Sequence, residues 1–308
     1  MGKVAFIFPG QGAQKVGMGR AAFDETEAGR AAFEAADAAL GESLSGLCFE
    51  GPEDQLQLTA NTQPAILTTS IALLRGLGAD CDVVAGHSLG EYSANVAAAT
   101  LGFEDAVRLV RKRGQFMQQA VPVGQGAMAA VLGGEIAAIE QACAETEGVV
   151  EPVNYNCPGQ LVIAGAREAV ERAGARIAEA GAKVRPLPVS APFHSSLMRP
   201  AEDALSPHLA EAAFGEPRVP IYVNVDAAPI TAAAAARDAL TRQVSRAVRW
   251  EQTIVAMIED GVTLFVEIGP GRALTGMLRR IDKNAAKANV EAPKDFEAAR
   301  ESIAAHRG

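Results

Sequence analysis

The sequence predicts an α/β protein: a mostly parallel sheet with helices on both faces, a hydrolase-like core, plus an inserted ferredoxin-like subdomain. Three observations predict it. Short apolar strands alternate with helical stretches, and strands apolar along both faces belong to buried parallel sheets. Two of these strands run directly into glycine turns, at Pro9-Gly10-Gln11-Gly12 and at Gly86-His87-Ser88-Leu89-Gly90. Between residues 126 and 190 the order changes to strand, helix, strand, strand, helix, strand, the order of a split β-α-β unit.

In chain order, Lys3 to Phe8 reads as a short buried strand closed by turn residues. Ala21 to Ala39, rich in alanine, and Pro64 to Leu77 read as helices. Val83 to Ala85 is a second strand, and the turn after it opens into the helix-forming stretch Glu91 to Thr100. The inserted unit follows, with strands at Met128–Leu132, Val149–Tyr155, Gln160–Ala164 and Ala182–Pro188. Its helices are expected at Glu135–Glu145 and Arg167–Ala180. The chain then returns to the first layer with strands at Pro220–Val225 and Thr263–Ile268, helices around Leu240 and Ile254, and a turn at Gly269-Pro270-Gly271. The charged tail from Asn284 onward reads as a loosely docked helix. The expected division is a large domain of residues 1–125 and 191–308 and a small one of 126–190.

With 308 residues and 49% hydrophobic content, the chain can bury one large core with a satellite. A net charge of -9 speaks against a surface dedicated to phosphate backbones, so nucleic acid is not an expected partner. The apolar run Val4–Phe8 is too short for a secretion signal or a membrane span, and the expected location is the cytoplasm. Cys48, Cys81, Cys143 and Cys157 form no CxxC pair and read as reduced thiols, with no metal site. Basic clusters at Arg111-Lys112-Arg113 and Arg279-Arg280 read most simply as solvated helix faces.

The chemistry concentrates at Gly86-x-Ser88-x-Gly90, which fits a nucleophile elbow between a strand and a helix. Alone the motif is weak, since chance supplies it in roughly one such chain in ten. Its context strengthens it, because the helix N-terminus and the Leu89 N–H point toward an oxyanion formed at Ser88. A serine nucleophile needs a base, and the downstream histidines are His194, His208 and His306. His194, in the turn leaving the small unit, is the expected base; the other two read as exposed, and His87 as a local packing residue. In PGQGAQ, Gln11 is a candidate second oxyanion donor, or the loop merely needs its glycines. The loop lacks the Lys-Ser/Thr ending of a P-loop, so nucleotide binding is not expected. Arg113 borders the apolar face formed by positions 107, 110 and 114 and is the basic residue best placed to turn inward. An inward guanidinium would select an acyl group that carries a carboxylate.

These residues resemble the malonyl-CoA:acyl-carrier-protein transacylase family of type II fatty acid synthesis. The likeness runs nearly end to end, through FIFPGQGAQKVGMG, TANTQPAIL, AGHSLGEYSA, DAVRLVRKRGQFMQ, VNYNCPGQLVIAG, LPVSAPFHSSLM and EIGPGRALTGM. It implies a ping-pong transfer through an ester on Ser88, with His194 acting as base and then acid. By the same resemblance, the N–H groups of Gln11 and Leu89 form the oxyanion hole and Arg113 holds the malonyl carboxylate. Gln63, Asn154 and Asn156 look like polar cleft residues, and Phe193 resembles the bulky residue that leaves little room for a methyl branch. Many relatives carry Gln in the segment reading Ala247-Val248-Arg249-Trp250, where a residue orients the base; Arg249 is the candidate there if its backbone carbonyl serves, and another group orients the base if a side-chain amide is required. No permanent cofactor is implied, malonyl-CoA being substrate and acyl carrier protein the partner. Since such carriers are acidic, a basic patch including Arg279 and Arg280 is the expected docking surface. Two alternatives stay open: a serine hydrolase using the same pair with an added carboxylate, and a carrier-binding module without turnover.

Overall fold

The computed structural model describes residues 2–189 and 191–307. Among the described residues ten strands, β1 to β10, form two sheets. The large sheet contains β1 (Lys3–Phe8), β2 (Val83–Gly86), β7 (Ile221–Val223), β8 (Ala228–Ile230), β9 (Val262–Ile268) and β10 (Ala286–Val290), in the order β10-β9-β1-β2-β7-β8. All its neighbours run parallel except β8, which returns antiparallel to β7. Strand alternation sends Val4, Phe6 and Phe8 to one face and Ala5 and Ile7 to the other, and both sets are buried. The first face packs under the helices Glu27–Leu40, Thr59–Leu77 and Phe103–Gln119, and the second under Trp250–Glu259 and Ala273–Ile281. A sheet covered on both sides explains why its central strands carry no polar alternation.

The small sheet contains β3 (Gly126–Leu132), β4 (Val150–Cys157), β5 (Gln160–Ala166) and β6 (Lys183–Pro186), all antiparallel, in the order β4-β5-β3-β6. Its helices, Ile136–Ala144 and Arg167–Glu179, bury Ile139, Cys143, Val170 and Ile177 against one face. The other face gathers Met128, Val153, Val162 and Ala164 with Leu187, Val189 and Phe193. Edge strand β4 is stitched to the large layer at Val248, whose N–H donates to the Val153 carbonyl (2.8 Å) and whose carbonyl accepts from Tyr155 (2.9 Å).

Two expectations are corrected. The helix foreseen over Ala21–Ala39 is two helices, Arg20–Glu25 and Glu27–Leu40, because Thr26 takes an extended backbone and its hydroxyl accepts the Gly29 N–H. The tail is not a loosely docked helix. It supplies β10 at the sheet edge and then the helix Phe296–Arg307, which buries Phe296, Ala299 and Ile303. An edge strand reading Ala-Lys-Ala-Asn-Val is polar enough to hide among charged residues. The four cysteines are free thiols, and burial pushes Cys81 up to about 12. Among the described residues no helix is long and apolar enough to cross a membrane.

Candidate active site

Ser88 and the Pro9–Gly12 loop sit at the C-terminal ends of neighbouring parallel strands, where open α/β sheets form their crevices. The turn around Ser88 is tight because the sequence removes side chains where backbones meet. A side chain on Gly86 would collide with the Gly90 carbonyl, and one on Gly90 with the Phe8 carbonyl. Ser88 itself takes a left-handed backbone, φ 50°, and so does His194, φ 65°. Such a conformation costs a non-glycine residue roughly 1–3 kcal/mol and persists only where surrounding contacts impose it.

The two strained residues meet. Ser88 Oγ lies 2.7 Å from His194 Nε2, and His194 Nδ1 lies 2.8 Å from the main-chain carbonyl of Gln243. A carbonyl only accepts, so Nδ1 carries the proton and Nε2 presents its lone pair to the serine hydroxyl. Burial, reinforced by the Arg113 cation, lowers the His194 imidazole to about 3. The base is therefore neutral at physiological pH. Its orienting group is a neutral carbonyl, where serine hydrolase triads use a carboxylate.

Arg113 turns inward from the helix Phe103–Gln119 and is 1% exposed. Its Nη1 donates to Gln63 Oε1 (2.8 Å), and its Nη2 donates to Gln243 Oε1 (2.9 Å) and Ser88 Oγ (3.2 Å). Its guanidinium lies over the Tyr92 ring. All three hydrogen-bond acceptors are neutral, and its Nε has no partner among the described residues. A buried cation served only by neutral acceptors is a site for an anionic partner.

The main-chain N–H groups of Gln11 and Leu89 donate to no acceptor among the described residues. Leu89 immediately precedes the helix Gly90–Ala97, whose dipole favours negative charge there. A cleft of about 270 Å³ joins these groups. Gln11, Gln63, Ser88, Arg113, Asn154 and His194 give it a polar side, and Met117, Met128, Leu187, Val189 and Phe193 an apolar one.

Eight of the ten residues expected from sequence thus converge here, and two do not. Asn156 does not itself line the cleft: its Oδ1 accepts from His87 Nε2 (2.9 Å), and His87, which does line the cleft, also packs against Trp250. Arg249 does not orient the base. The carbonyl at His194 Nδ1 belongs to Gln243, whereas the Arg249 N–H donates to the Asn224 carbonyl and its exposed side chain borders a second, polar pocket that His194 also lines. The segment Ala247–Trp250 is instead committed to stitching β4 at Val248. His208 is half-buried and stacks on Phe116, and His306 bonds the Ser302 carbonyl; neither lines the cleft. Arg280 donates to the Pro158 carbonyl at the β4–β5 turn, so it clasps the small sheet to the large layer.

Three residues at the site were missed from sequence. Gln243 meets the base with its carbonyl, Arg113 with its Oε1 and the Ser88 carbonyl with its Nε2 (3.0 Å). Asn224 and Glu91 brace the elbow from behind. A lone Asn in the apolar run Ile221–Val225 and a lone Glu opening an otherwise weakly polar helix were the available signals.

Residues 5–294 match the family described as acyl transferase domain. The malonyl CoA-acyl carrier protein transacylase of Escherichia coli (strain K12) is 48% identical over 98% of this chain and 100% of its own length. An acyl carrier protein S-malonyltransferase from Vibrio cholerae superposes with a TM-score of 0.94 at 46% identity, covering 96% of this chain and 99% of that one. A malonyl-transacylase solved in complex with a type II PKS acyl-carrier protein superposes with a TM-score of 0.95 at 44% identity, covering 97% of this chain and 99% of its own. The chain belongs to the malonyl-CoA:acyl-carrier-protein transacylase family of acyl transferase domains.

Proposed function

We propose that this chain transfers a malonyl group from malonyl-CoA to the phosphopantetheine thiol of an acyl carrier protein, as a step of fatty acid biosynthesis. The observation that carries the reading is a buried guanidinium with only neutral partners, 3.2 Å from a serine oxygen that is itself 2.7 Å from a neutral imidazole. A malonyl carboxylate paired with Arg113 brings the thioester carbonyl to Ser88 Oγ. His194 Nε2 takes the hydroxyl proton as Oγ attacks, and the N–H groups of Gln11 and Leu89 receive the developing oxyanion. The tetrahedral adduct collapses, the bond to sulfur breaks, and the leaving coenzyme A thiolate takes the proton from His194. The carrier thiol then gives its proton to Nε2 and attacks the ester carbonyl, and Ser88 Oγ leaves with that proton. Gln63 and Gln243 hold the guanidinium, Asn154 contributes polar surface, and the Gln243 carbonyl orients the base. In this reading the enzyme is cytoplasmic and holds no permanent cofactor. Residues 1–125 with 191–308 supply the nucleophile, the base and the apolar residues Met117 and Phe193, and 126–190 adds Met128, Leu187 and Val189 with the polar Asn154; the boundary residue Ser190 lies outside the described residues.

The substrate panel that tests this reading is malonyl-, acetyl- and methylmalonyl-CoA, with and without carrier. Transfer of malonyl is expected to exceed acetyl and methylmalonyl, with hydrolysis slow when carrier is absent. Equal rates for malonyl and acetyl would remove the carboxylate selection from this reading, and release of free malonate faster than transfer would favour a hydrolase. Phe193→Ala is expected to raise methylmalonyl relative to malonyl use about tenfold, the scale of one methyl group in an apolar pocket. An unchanged ratio removes Phe193 from that role.

A second expectation concerns pH. Because the folded His194 titrates at about 3, it loses its lone pair only in strong acid. The kcat/KM of acylation, which reports the free enzyme, should therefore stay flat from about pH 7.5 to about pH 5. An imidazole at its ordinary value of about 6.5 would lose most of that rate over the same range, and such a profile would contradict the assignment.

A further inference from the structure

Two buried polar residues outside the chemical steps lie behind the nucleophile. Asn224 follows β7 and has no exposed surface. Its side-chain Oδ1 accepts the Ser88 N–H (2.7 Å), and its Nδ2 donates to the Gly86 carbonyl (2.7 Å). Its main-chain N–H donates to Glu91 Oε2 (2.7 Å), and its carbonyl accepts from Arg249 (3.0 Å). The amide therefore spans the elbow from the residue before the turn to its tip, where left-handed backbone gives the Ser88 N–H no regular partner. Glu91, in the first turn of the following helix, is also fully buried, and its Oε1 has no partner among the described residues. Burial pushes its carboxyl up to about 7, and in either protonation state Oε2 remains free to accept. The Gln243 side chain and the Arg113 cation also act on this carboxyl, but its one main-chain partner among the described residues is Asn224, and burying a carboxyl against a loop is costly unless that loop needs a fixed position.

We propose that Asn224 is a positioning residue for the transfer, locked in place by Glu91: its amide fixes the Ser88 backbone so that Oγ faces His194 and the Leu89 N–H faces the oxyanion. The proposal rests on the reading of Ser88 as the nucleophile. A small rotation about Ser88 moves both the attacking oxygen and the next peptide N–H, and a displacement of about 1 Å at a reacting group costs about 10²-fold in rate. Asn224 does not line the cleft, so its loss acts on chemistry and leaves substrate binding intact.

The test measures single-turnover acylation by malonyl-CoA, with active sites counted from the burst of coenzyme A and folding followed by thermal melts. Asn224→Ala is expected to slow acylation per active site about 10- to 100-fold, with KM within about twofold of wild type. Asn224→Asp keeps the acceptor for Ser88 but sets an oxygen against the Gly86 carbonyl, and it is slowed as well. Glu91→Ala behaves like Asn224→Ala, whereas Glu91→Gln, whose amide oxygen accepts the same N–H, recovers most of the rate. A merely structural role would lower the melting temperature and the count of active sites while leaving the rate per site unchanged. That result, or Glu91→Gln as slow as Glu91→Ala, overturns the proposal. Ser88→Ala separates the two levels. If it still takes up malonyl, the reading of Ser88 fails; if it is inert while Asn224→Ala is fast per site, only the positioning role fails.

Discussion

Replacing Arg113 with alanine is expected to lower kcat/KM for malonyl-CoA about 10²- to 10³-fold while changing that for acetyl-CoA less than about tenfold. Removing one partner of a desolvated charge pair costs roughly 2–5 kcal/mol, and each 1.4 kcal/mol or so is a factor of ten. The guanidinium is buried among Gln63, Gln243 and Ser88, so a bound carboxylate is the charge that its removal strands. Acetyl-CoA brings no carboxylate and loses only the ordering of the pocket. It also gains, because the Arg113 cation is the second cause, after burial, of the depressed His194 imidazole. Without that cation the base accepts a proton more readily. The same coupling implies that a malonyl carboxylate, by neutralising Arg113, eases protonation of His194, so selectivity should register in kcat as well as in KM. Side-by-side kinetics of the two thioesters check this, and equal losses for both would remove Arg113 from substrate selection.

Replacing His194 with alanine is expected to slow formation of the acyl-enzyme about 10²- to 10⁴-fold, the usual worth of a positioned base, with KM for malonyl-CoA little changed. The imidazole touches the serine oxygen and the Gln243 carbonyl but not the carboxylate site, which explains the separation. Rapid-quench measurement of coenzyme A release gives the rate constant. A loss smaller than about tenfold would mean that another group takes the Ser88 proton.

The parallel core was legible because central strands buried on both faces carry no polar alternation, and β1 matches its expected limits, Lys3 to Phe8. The small sheet was legible in its order of elements, since turns at Gly133-Gly134 and Pro158-Gly159 punctuate it. The edges were not. In β10 and β8 one side faces no further strand, and their short polar sequences carry little burial signal. At the site, Ser88 was readable from a local motif and His194 by elimination among four histidines. Arg113 was readable from helical spacing, because its neighbours at 107, 110 and 114 are all buried.

What sequence reasoning misassigned depends on long-range contacts. Gln243 serves the base through its carbonyl, a group every residue has, so nothing in its side chain marks it. Arg249 sits in a segment whose backbone is occupied in joining the two sheets, and that pairing is invisible without coordinates. Asn156 shares the alternating face of β4 with Asn154, which reaches the cleft, yet the register is irregular between Tyr155 and Cys157 and Asn156 meets the His87 ring instead. That His194 Nδ1 meets a main-chain carbonyl and not a carboxylate is the physical difference from hydrolase triads that spacing alone did not reveal. A neutral orienting carbonyl beside a buried cation gives a base of low intrinsic strength, one suited to a reaction in which the substrate supplies the compensating negative charge.

The most direct measurement is the location of the acyl group on protein incubated with malonyl-CoA alone, then digested and sequenced by tandem mass spectrometry. Malonate esterified to Ser88, discharged on addition of carrier thiol and missing from Ser88→Ala, is the predicted result. Acyl groups mapped to a different side chain, or transfer to carrier that proceeds in Ser88→Ala, would contradict the account.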